Sequence, residues 1–418
     1  MKTLVLGAGV VGVSTAYFLA RAGHQVTVID RRPQAGQETS FANGGQLSAA
    51  QSIPWANPHT VTLLLKWLGR ADAPLVFNPL KAEGPLWGWG LSFLRNCTPG
   101  RSRANGERNL RLALYNRQMI ARINADTGIK FDYNPRGILQ VFRNKRDYEG
   151  AKRFAGWYSE RGCHVEAKSA EECLAIEPAL EQARHDICGG VYSPDDACGD
   201  AHLFTAGLAE VCAAMGVRFQ YETSILRLSV MHDKISGVMT NRGMFTANAY
   251  VVALGSFSTS LLAPLGVKLP IYPTKGYSVT MPLDGSNRAP AMSITDEANK
   301  LVYSRLGNRL RIAGTAEFVG YDATVTPSRA EAVLKAAMKM FPDCGDPANA
   351  KLWAGLRPLT PDCVPIIGRT PFKNLFLNTG HGTLGWTLGA GSGRVAADIV
   401  SGIAPEIETA DYGMERFA

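Results

Sequence analysis

Three glycines near the start of the chain have the spacing of a dinucleotide-binding turn. Gly7, Gly9 and Gly12 form G-x-G-x-x-G between a short apolar run and a helical pattern, and Asp30 ends a second predicted strand. The first glycine permits a tight turn, the second lets the backbone approach a pyrophosphate, and the third lets helix and strand pack closely. The helix N-terminus would then face the phosphates, and Asp30 would accept hydrogen bonds from a ribose. We therefore expect a bound dinucleotide, with FAD and NAD both compatible.

Arg31 and Arg32 follow Asp30 directly and raise NADP as an alternative, because arginine suits a 2′-phosphate. The carboxylate of Asp30 would repel that phosphate, so we do not expect NADP.

Glycine-rich and polar segments elsewhere could contact the same ligand. Residues 38–48 (ETSFANGGQLS) have the composition of a loop able to wrap a cofactor or of a plain surface loop. Residues 250–256 form a buried strand that enters a glycine turn, and residues 375–378 form another. The latter leads into TGHGTLGW and a glycine-rich helix up to about Ser401, whose N-terminal amides could face an electron-rich group.

The composition is that of a globular protein with two domains or one elaborated domain. The chain has 418 residues, 46% of them hydrophobic and 19% charged, which excludes a disordered, collagenous or coiled-coil protein. The net charge of +8 comes from scattered Lys and Arg, so we expect a solvated basic surface and no nucleic-acid partner. The eight cysteines contain no C-x-x-C pair, which predicts no metal site and a reduced, intracellular protein.

Several motifs, in chain order, resemble one enzyme family. Besides the N-terminal fingerprint they are SFANGGQLS at 40–48, YPTKGYS at 272–278, WAGLRPLTPD at 353–362 and NTGHGTLGWTLGAGSG at 378–393. The chain resembles the FAD-dependent D-amino-acid oxidase, glycine oxidase and sarcosine oxidase family, and within it the bacterial D-amino-acid dehydrogenases of the small-subunit type. Cys363 departs from the family pattern, which usually has glycine there.

The resemblance implies an α/β fold with a Rossmann-like FAD-binding domain of the glutathione-reductase type and an antiparallel-sheet substrate domain. The FAD-binding domain would comprise residues 1–50, 97–128, 196–265 and 357–418, and the substrate-binding domain residues 51–96, 129–195 and 266–356. Residues 300–313 predict a hairpin with Gly307 and Asn308 in the turn. Residues 108–127 and 201–215 predict helices that pack against the flavin sheet.

FAD is the cofactor that the resemblance implies. The residues expected to bind it are Gly7, Gly9, Val10, Val11, Gly12, Asp30, Arg31, Ser40, Asn43, Gly44, Gly45, Gln46, Ile225, Gly255, Gly380, His381, Gly382, Thr383 and Leu384. We assign His381 to cofactor contact and not to base catalysis, and amides of 382–384 to negative charge on the reduced flavin.

Four side chains are candidates for the substrate site. The carboxylate of an amino acid needs a fixed cation, and the guanidinium fork suits it better than an ammonium group. Arg305 is the first candidate by the resemblance, and a hairpin surface arginine is the alternative. Arg357 could contact the flavin edge or the carboxylate, or brace the loop between the domains. Tyr277 and Tyr272 could bind the carboxylate and cover the flavin, or could pack in the core.

The implied activity is oxidation of a D-amino acid to an imino acid, which water hydrolyses to a 2-oxo acid and ammonia. The alternatives are a D-proline or hydroxy-D-proline dehydrogenase, an FAD-dependent amine oxidase that uses O2, an RNA-modifying flavoprotein, and a non-catalytic flavin scaffold. The resemblance implies a quinone or other respiratory acceptor. Residues 52–97, rich in Trp and Leu beside Lys and Arg, fit either a buried helical extension or a membrane-interface segment. We expect a cytoplasmic protein. The alternative is a protein bound peripherally to the inner face of the bacterial inner membrane.

Overall fold

The computed structural model describes residues 1–67, 73–77 and 84–417. Over this part the α-helices are α1 Val10–Arg21, α2 Pro58–Trp67, α3 Gly84–Asn96, α4 Pro99–Thr127, α5 Lys145–Ser159, α6 Ala170–Ile176, α7 Ala201–Ala214, α8 Ser258–Leu262, α9 Pro327–Met340 and α10 Gly385–Ser401. The β-strands are β1 Lys2–Leu6, β2 Gln25–Ile29, β3 Gln46–Leu47, β4 Leu75–Val76, β5 Ile138–Phe142, β6 Glu166–Lys168, β7 Gly189–Ser193, β8 Ala197–Cys198, β9 Arg218–Gln220, β10 Ile225–Met231, β11 Lys234–Thr240, β12 Gly243–Phe245, β13 Ala249–Val252, β14 Tyr272–Pro282, β15 Ser293–Asp296, β16 Leu301–Leu306, β17 Arg309–Glu317, β18 Lys351–Leu359, β19 Ile366–Arg369 and β20 Leu375–Thr379.

A six-stranded sheet in the order β19-β20-β13-β1-β2-β9 forms one half of the molecule. Its strands are parallel except for β19, which runs antiparallel to β20. β13 is buried along its whole length, as expected of a parallel strand covered on both faces. Helices α1, α4 and α10 pack together on one side, and the small sheet β10-β11-β12 shares an apolar cluster with the other side.

A nine-stranded sheet forms the other half, in the order β18-β14-β17-β16-β15-β5-β7-β6, with β4 paired to β17. Its pairs are antiparallel except β15 with β5 and β4 with β17. Helix α9 packs against β14 and β17 on one face. The fold class expected from the resemblance, a Rossmann-like parallel sheet with a largely antiparallel second sheet, is confirmed.

The predicted elements agree closely with the structure. The hairpin is formed by β16 and β17, and Gly307 in its turn has φ +58°. The helix predicted at 108–127 begins earlier, at Pro99, because Pro is favourable in the first turn of a helix. Almost all strands of the nine-stranded sheet fall in the segments assigned to the substrate domain, although β18 runs past the boundary placed at 357. The division into two domains stays a prediction.

None of the helices in the described part of the chain is both long enough and apolar enough to span a membrane.

Candidate functional site

A large cavity lies between the two sheets. Its volume is about 1160 Å³, above the range of roughly 300–1,000 Å³ of ordinary ligand pockets. It opens where the parallel strands β1, β2 and β13 end, and Gly7, Asp30 and Ala253 line it there. This crevice at the carboxyl ends of the strands is where open parallel sheets bind ligands. The opposite wall is the face of the nine-stranded sheet that is not covered by α9.

The first glycine turn has the shape that the fingerprint predicts. Gly7 has φ +109°, a backbone angle that residues with a side chain rarely adopt. A Cβ on Gly12 would overlap the carbonyl oxygen of Gly7, so only glycine lets α1 approach β1 this closely. No side chain caps the N-terminus of α1 at Gly9, and the amide of Val10 donates to Ser40 Oγ at 3.1 Å. The end of α1 therefore faces the cavity with amide donors and a positive dipole.

Asp30 is held as an acceptor beside this turn. Its carboxylate accepts from the amides of Ala8 (2.7 Å) and Arg32 (2.8 Å), while burial raises its pKa from the usual value. Glu38 pairs with both neighbouring arginines, at 2.7 Å from Arg31 and 2.6 Å from Arg32. Glu38 thus engages both arginines, although its single negative charge offsets only one of their two positive charges.

A second helix N-terminus points at the same cavity. Residues 381–387 line it, and α10 starts at Gly385 without a side-chain cap or an acidic residue in its first turn. His381 is buried and its Nε2 lies 2.8 Å from Ser392 Oγ. Burial lowers the pKa of His381 to about 3, so the ring is neutral at neutral pH. A neutral His381 ring suits contact with the cofactor. It does not suit a base that gains and loses a proton near neutral pH.

The loop at 40–48 lies between these two helix ends. Asn43 Oδ1 accepts from the amide of Gly45 at 3.0 Å, and the Gly44 carbonyl accepts from Ser304 Oγ at 2.7 Å. A Cβ on Gly44 would press on the side chain of Val302, so glycine allows the loop to approach the nine-stranded sheet.

Most residues expected to bind the cofactor line the cavity. They are Gly7, Gly9, Val10, Val11, Asp30, Arg31, Ser40, Asn43, Gly44, Gly45, Gln46, Ile225, Gly255, His381, Gly382, Thr383 and Leu384. Gly12 and Gly380 do not line it: Gly12 serves the contact of α1 with the turn, and Gly380 has φ +75° beside Thr360 and Ile271. Two uncapped helix ends, a ribose acceptor and a glycine cradle fit the phosphates, the ribose and the flavin pyrimidine of FAD.

Arg357 is the predicted substrate-site cation that reaches the cavity. It projects from β18 across β14, where a Cβ on Gly276 would overlap its guanidinium group. Nη1 donates to the Thr315 carbonyl at 2.8 Å and Nη2 approaches the Gly314 carbonyl at 3.4 Å. Burial lowers its pKa to about 10, which leaves it charged at neutral pH. Within the described residues no carboxylate pairs with it, so its charge is available for an anion.

The two candidate tyrosines are engaged elsewhere. Tyr277 lines the cavity, but its hydroxyl donates to Glu317 Oε2 at 2.7 Å and it belongs to the core cluster under α9. Tyr272 does not line the cavity; its hydroxyl accepts from the amide of Gly320 at 3.1 Å and its ring packs against Trp89 and Phe318. Neither hydroxyl is placed by these contacts beside Arg357.

The structure does not bring Arg305 to the cavity. Side chains alternate along β16: Val302 lines the cavity and Ser304 contacts Gly44, whereas Tyr303 packs against Phe341 beneath the sheet. Arg305 shares the face of Tyr303 and lines a separate cavity of about 450 Å³. Of the two predicted arginines, Arg357 therefore lines the large cavity and Arg305 does not.

Sequence reasoning missed one side of the cavity. Four aromatic residues, which we call the aromatic wall, line it beside Arg357: Trp55, Phe77, Trp89 and Phe318. Three of them come from residues 52–97. The sequence shows that this segment is rich in aromatic residues, but it does not show that these residues line the cavity. On another side, Gln51 Nε2 and Gln46 Nε2 both donate to Thr295 Oγ1, at 2.6 and 3.0 Å. Nothing in the sequence places Thr295 opposite these glutamines.

A dinucleotide cradle and an arginine without an acidic partner among the described residues lie in one cavity, as expected of a flavin-dependent oxidoreductase, and the comparisons with known proteins support this class. Residues 2–399 match the family described as FAD dependent oxidoreductase. The chain is 51% identical to the D-amino acid dehydrogenase of Paramagnetospirillum magneticum, over 100% of this chain and 99% of that protein.

Solved structures show the same architecture. The glycine oxidase of Bacillus cereus superposes with a TM-score of 0.71 at 25% identity, covering 96% of this chain and 95% of that one. The L-proline dehydrogenase of P. horikoshii superposes with a TM-score of 0.77 at 21% identity, covering 100% and 97%. The chain therefore belongs to the FAD-dependent oxidoreductase family and, within it, to the family of the D-amino acid dehydrogenases.

Proposed function

We propose that this protein oxidises D-amino acids at the α-carbon, giving an imino acid that water hydrolyses to a 2-oxo acid and ammonia. The observation that supports it is Arg357, which lines the FAD cavity, is held by two neutral carbonyl groups and has no acidic partner in the described part of the chain. Such a guanidinium fork suits a substrate carboxylate.

Each group in the cavity has a part in this reaction. Bound FAD supplies the two-electron acceptor for the hydride that leaves the α-carbon. Arg357 fixes the carboxylate and so orients the C–H bond, which makes the step effectively intramolecular. The amides of Gly382 and Thr383 and the N-terminus of α10 stabilise negative charge that develops beside them, whereas the amide of Leu384 donates to the His381 carbonyl at 3.0 Å. Because the substrate amine is neutral when the hydride leaves, the α-carbon needs no strong base, in keeping with a neutral His381.

Anaerobic mixing of the holoenzyme with D- and L-amino acids tests this proposal. We expect D-amino acids to bleach the flavin absorbance and their L-enantiomers to leave it unchanged. Bleaching by cyclic secondary amines alone would replace the proposal with a D-proline or hydroxy-D-proline dehydrogenase. No bleaching by any D-amino acid would contradict it.

We propose further that the electrons pass to a membrane quinone and that α3 contacts the inner face of the cytoplasmic membrane. Leu86, Trp89 and Phe93 of α3 are buried, yet a second apolar stripe on the same helix, Trp87, Leu91 and Leu94, is 49%, 59% and 46% exposed. These three residues also lie at the mouth of the cavity. The exposed Arg95, Arg101 and Arg103 follow, which suits an anionic surface.

Two measurements test the acceptor and the surface. The reduced holoenzyme should be reoxidised faster by a short-chain ubiquinone than by O2; the reverse order would favour an oxidase. The protein should sediment with vesicles containing phosphatidylglycerol and less with pure phosphatidylcholine, and Leu91→Ser/Leu94→Ser should weaken this. Equal sedimentation of both proteins would contradict the role of α3.

A further inference from the structure

We propose that the aromatic wall receives the substrate side chain, so that the enzyme prefers D-amino acids with bulky apolar side chains to D-alanine and to acidic D-amino acids. This inference rests on the proposed function, in which Arg357 holds the substrate carboxylate.

The aromatic wall lies immediately beside Arg357. The Trp55 ring centroid is 5.8 Å from Cζ of Arg357. Arg357 Nη1 donates to the carbonyl of Thr315, and the next residues of β17, Ala316 and Glu317, pair with β4. Phe77 directly follows β4, and Phe318 directly follows Glu317 of β17. Their ring centroids are 6.3 Å apart. A molecule anchored on Arg357 therefore has aromatic surface within the reach of its side chain.

The indole N–H of Trp89 does not compete for a polar partner in the cavity. Trp89 stacks near Phe318 at 5.6 Å, and its indole N–H already donates to the Leu359 carbonyl at 2.9 Å. The buried polar atom of Trp89 is thus satisfied, which leaves its ring face for apolar contact. An apolar side chain that packs against these rings removes apolar surface from water.

The other lysine and arginine described as lining the cavity, Lys300 and Arg31, do not offer an alternative partner for an acidic side chain. Lys300 forms an ion pair with Glu297, whose other carboxylate oxygen accepts from Gln140 Nε2 at 2.7 Å. Arg31 is paired with Glu38 at 2.7 Å. Among the lysines and arginines described as lining the cavity, Arg357 alone lacks an acidic partner, and the carboxylate common to all amino acids takes it. A second carboxylate would be desolvated without a cation.

The test is the reductive half-reaction of the holoenzyme, which needs no electron acceptor and so is independent of the quinone proposal. Rate constants for anaerobic flavin bleaching are measured against the concentrations of D-phenylalanine, D-leucine, D-alanine and D-aspartate. We expect the second-order rate constant for D-phenylalanine and D-leucine to exceed that for D-alanine by about tenfold or more, because single methylene contacts discriminate on that scale. D-Aspartate should be slowest.

Two substitutions of Phe77 test whether the aromatic wall causes the preference for bulky apolar side chains. In Phe77→Ala and in the milder Phe77→Leu, the ratio of the rate constants for D-phenylalanine and D-alanine should fall, more in the alanine variant. Phe372→Ala, which removes a partly buried ring that does not line the cavity, should keep the wild-type ratio.

The outcomes separate the two proposals. Bleaching by D-alanine or D-aspartate as fast as by D-phenylalanine overturns the side-chain inference and leaves the proposed function standing, as does an unchanged ratio in both Phe77 variants. No bleaching by any D-amino acid overturns the proposed function itself.

Discussion

Arg357 is the residue that we propose binds the substrate carboxylate, because neutral carbonyls and no acid of the described residues hold its charge. Arg357→Lys keeps the charge but loses the planar fork. We expect kcat/KM for D-amino acids to fall about 10- to 100-fold, since a charge-assisted hydrogen bond contributes about 1.5–3 kcal/mol. Steady-state kinetics and the flavin content of the purified variant measure this.

Arg305→Lys is the matched control, because Arg305 lies outside the large cavity. It should have wild-type kinetics. If the Arg305 variant lost kcat/KM and the Arg357 variant did not, the carboxylate anchor would have been assigned to the wrong strand face.

His381 makes stability depend on pH. Burial lowers its pKa in the folded protein to about 3, whereas the ordinary value is about 6.5. The unfolded chain therefore binds the proton more readily between these values, and stability is lost as the pH falls below about 6.5. The melting temperature of the wild-type holoenzyme should drop more between pH 6.5 and 4.5 than that of His381→Gln. Parallel pH curves for the two proteins would contradict a neutral buried ring.

At the scale of elements, the close packing of α10 on α1 depends on small residues. A Cβ on Gly393 would lie 2.8 Å from Ser14, and one on Gly391 would lie 2.9 Å from the amide nitrogen of Asn116 in α4. Gly393→Ala should destabilise the protein by about 1–3 kcal/mol, because overpacking forces the helices apart. Urea unfolding measures this free energy.

Gly156→Ala in α5 is the control, since a Cβ there meets open space. Alanine favours the helix, so this variant should be at least as stable as the wild type. Equal stability of the Gly393 and Gly156 variants would show that α1 and α10 tolerate separation.

How much the sequence could predict differs between elements. The turn at residues 7–12 is local, so its glycine spacing alone predicts its geometry and a dinucleotide ligand, with FAD and NAD both compatible. The resemblance ranked Arg305 before Arg357, but a strand turns alternate residues to opposite faces, and the sequence alone does not show which face of β16 meets the cavity. The aromatic wall requires the pairing of β4 with β17, a contact between distant segments that no local pattern encodes.

At the scale of the whole molecule, FAD should act as a structural clamp. The cavity is lined by segments near residues 7–11, 40–48, 253–257 and 381–387, which meet only in the folded chain. A ligand that binds the folded state alone stabilises it by about 2.7 kcal/mol at 100 times its Kd. Adding FAD to the apoprotein should raise the melting temperature by about 5 °C. NADP should raise it less, because Glu38 already pairs with Arg31 and Arg32.

The contact of α1 with α10 also bears on how the protein is made. Asn378 at the end of β20 donates to Thr15 of α1 at 3.0 Å, and α10 begins at Gly385, so α1 reaches these partners only after residue 385 has been synthesised. Ribosomes add about 5–20 residues per second. The glycine turn and α1 of a growing chain therefore lack their contact with α10 for about 20 seconds or more. A chain that stops before residue 385 would lack the contact of α1 with α10, and we expect its glycine turn to bind FAD more weakly than the 418-residue chain does.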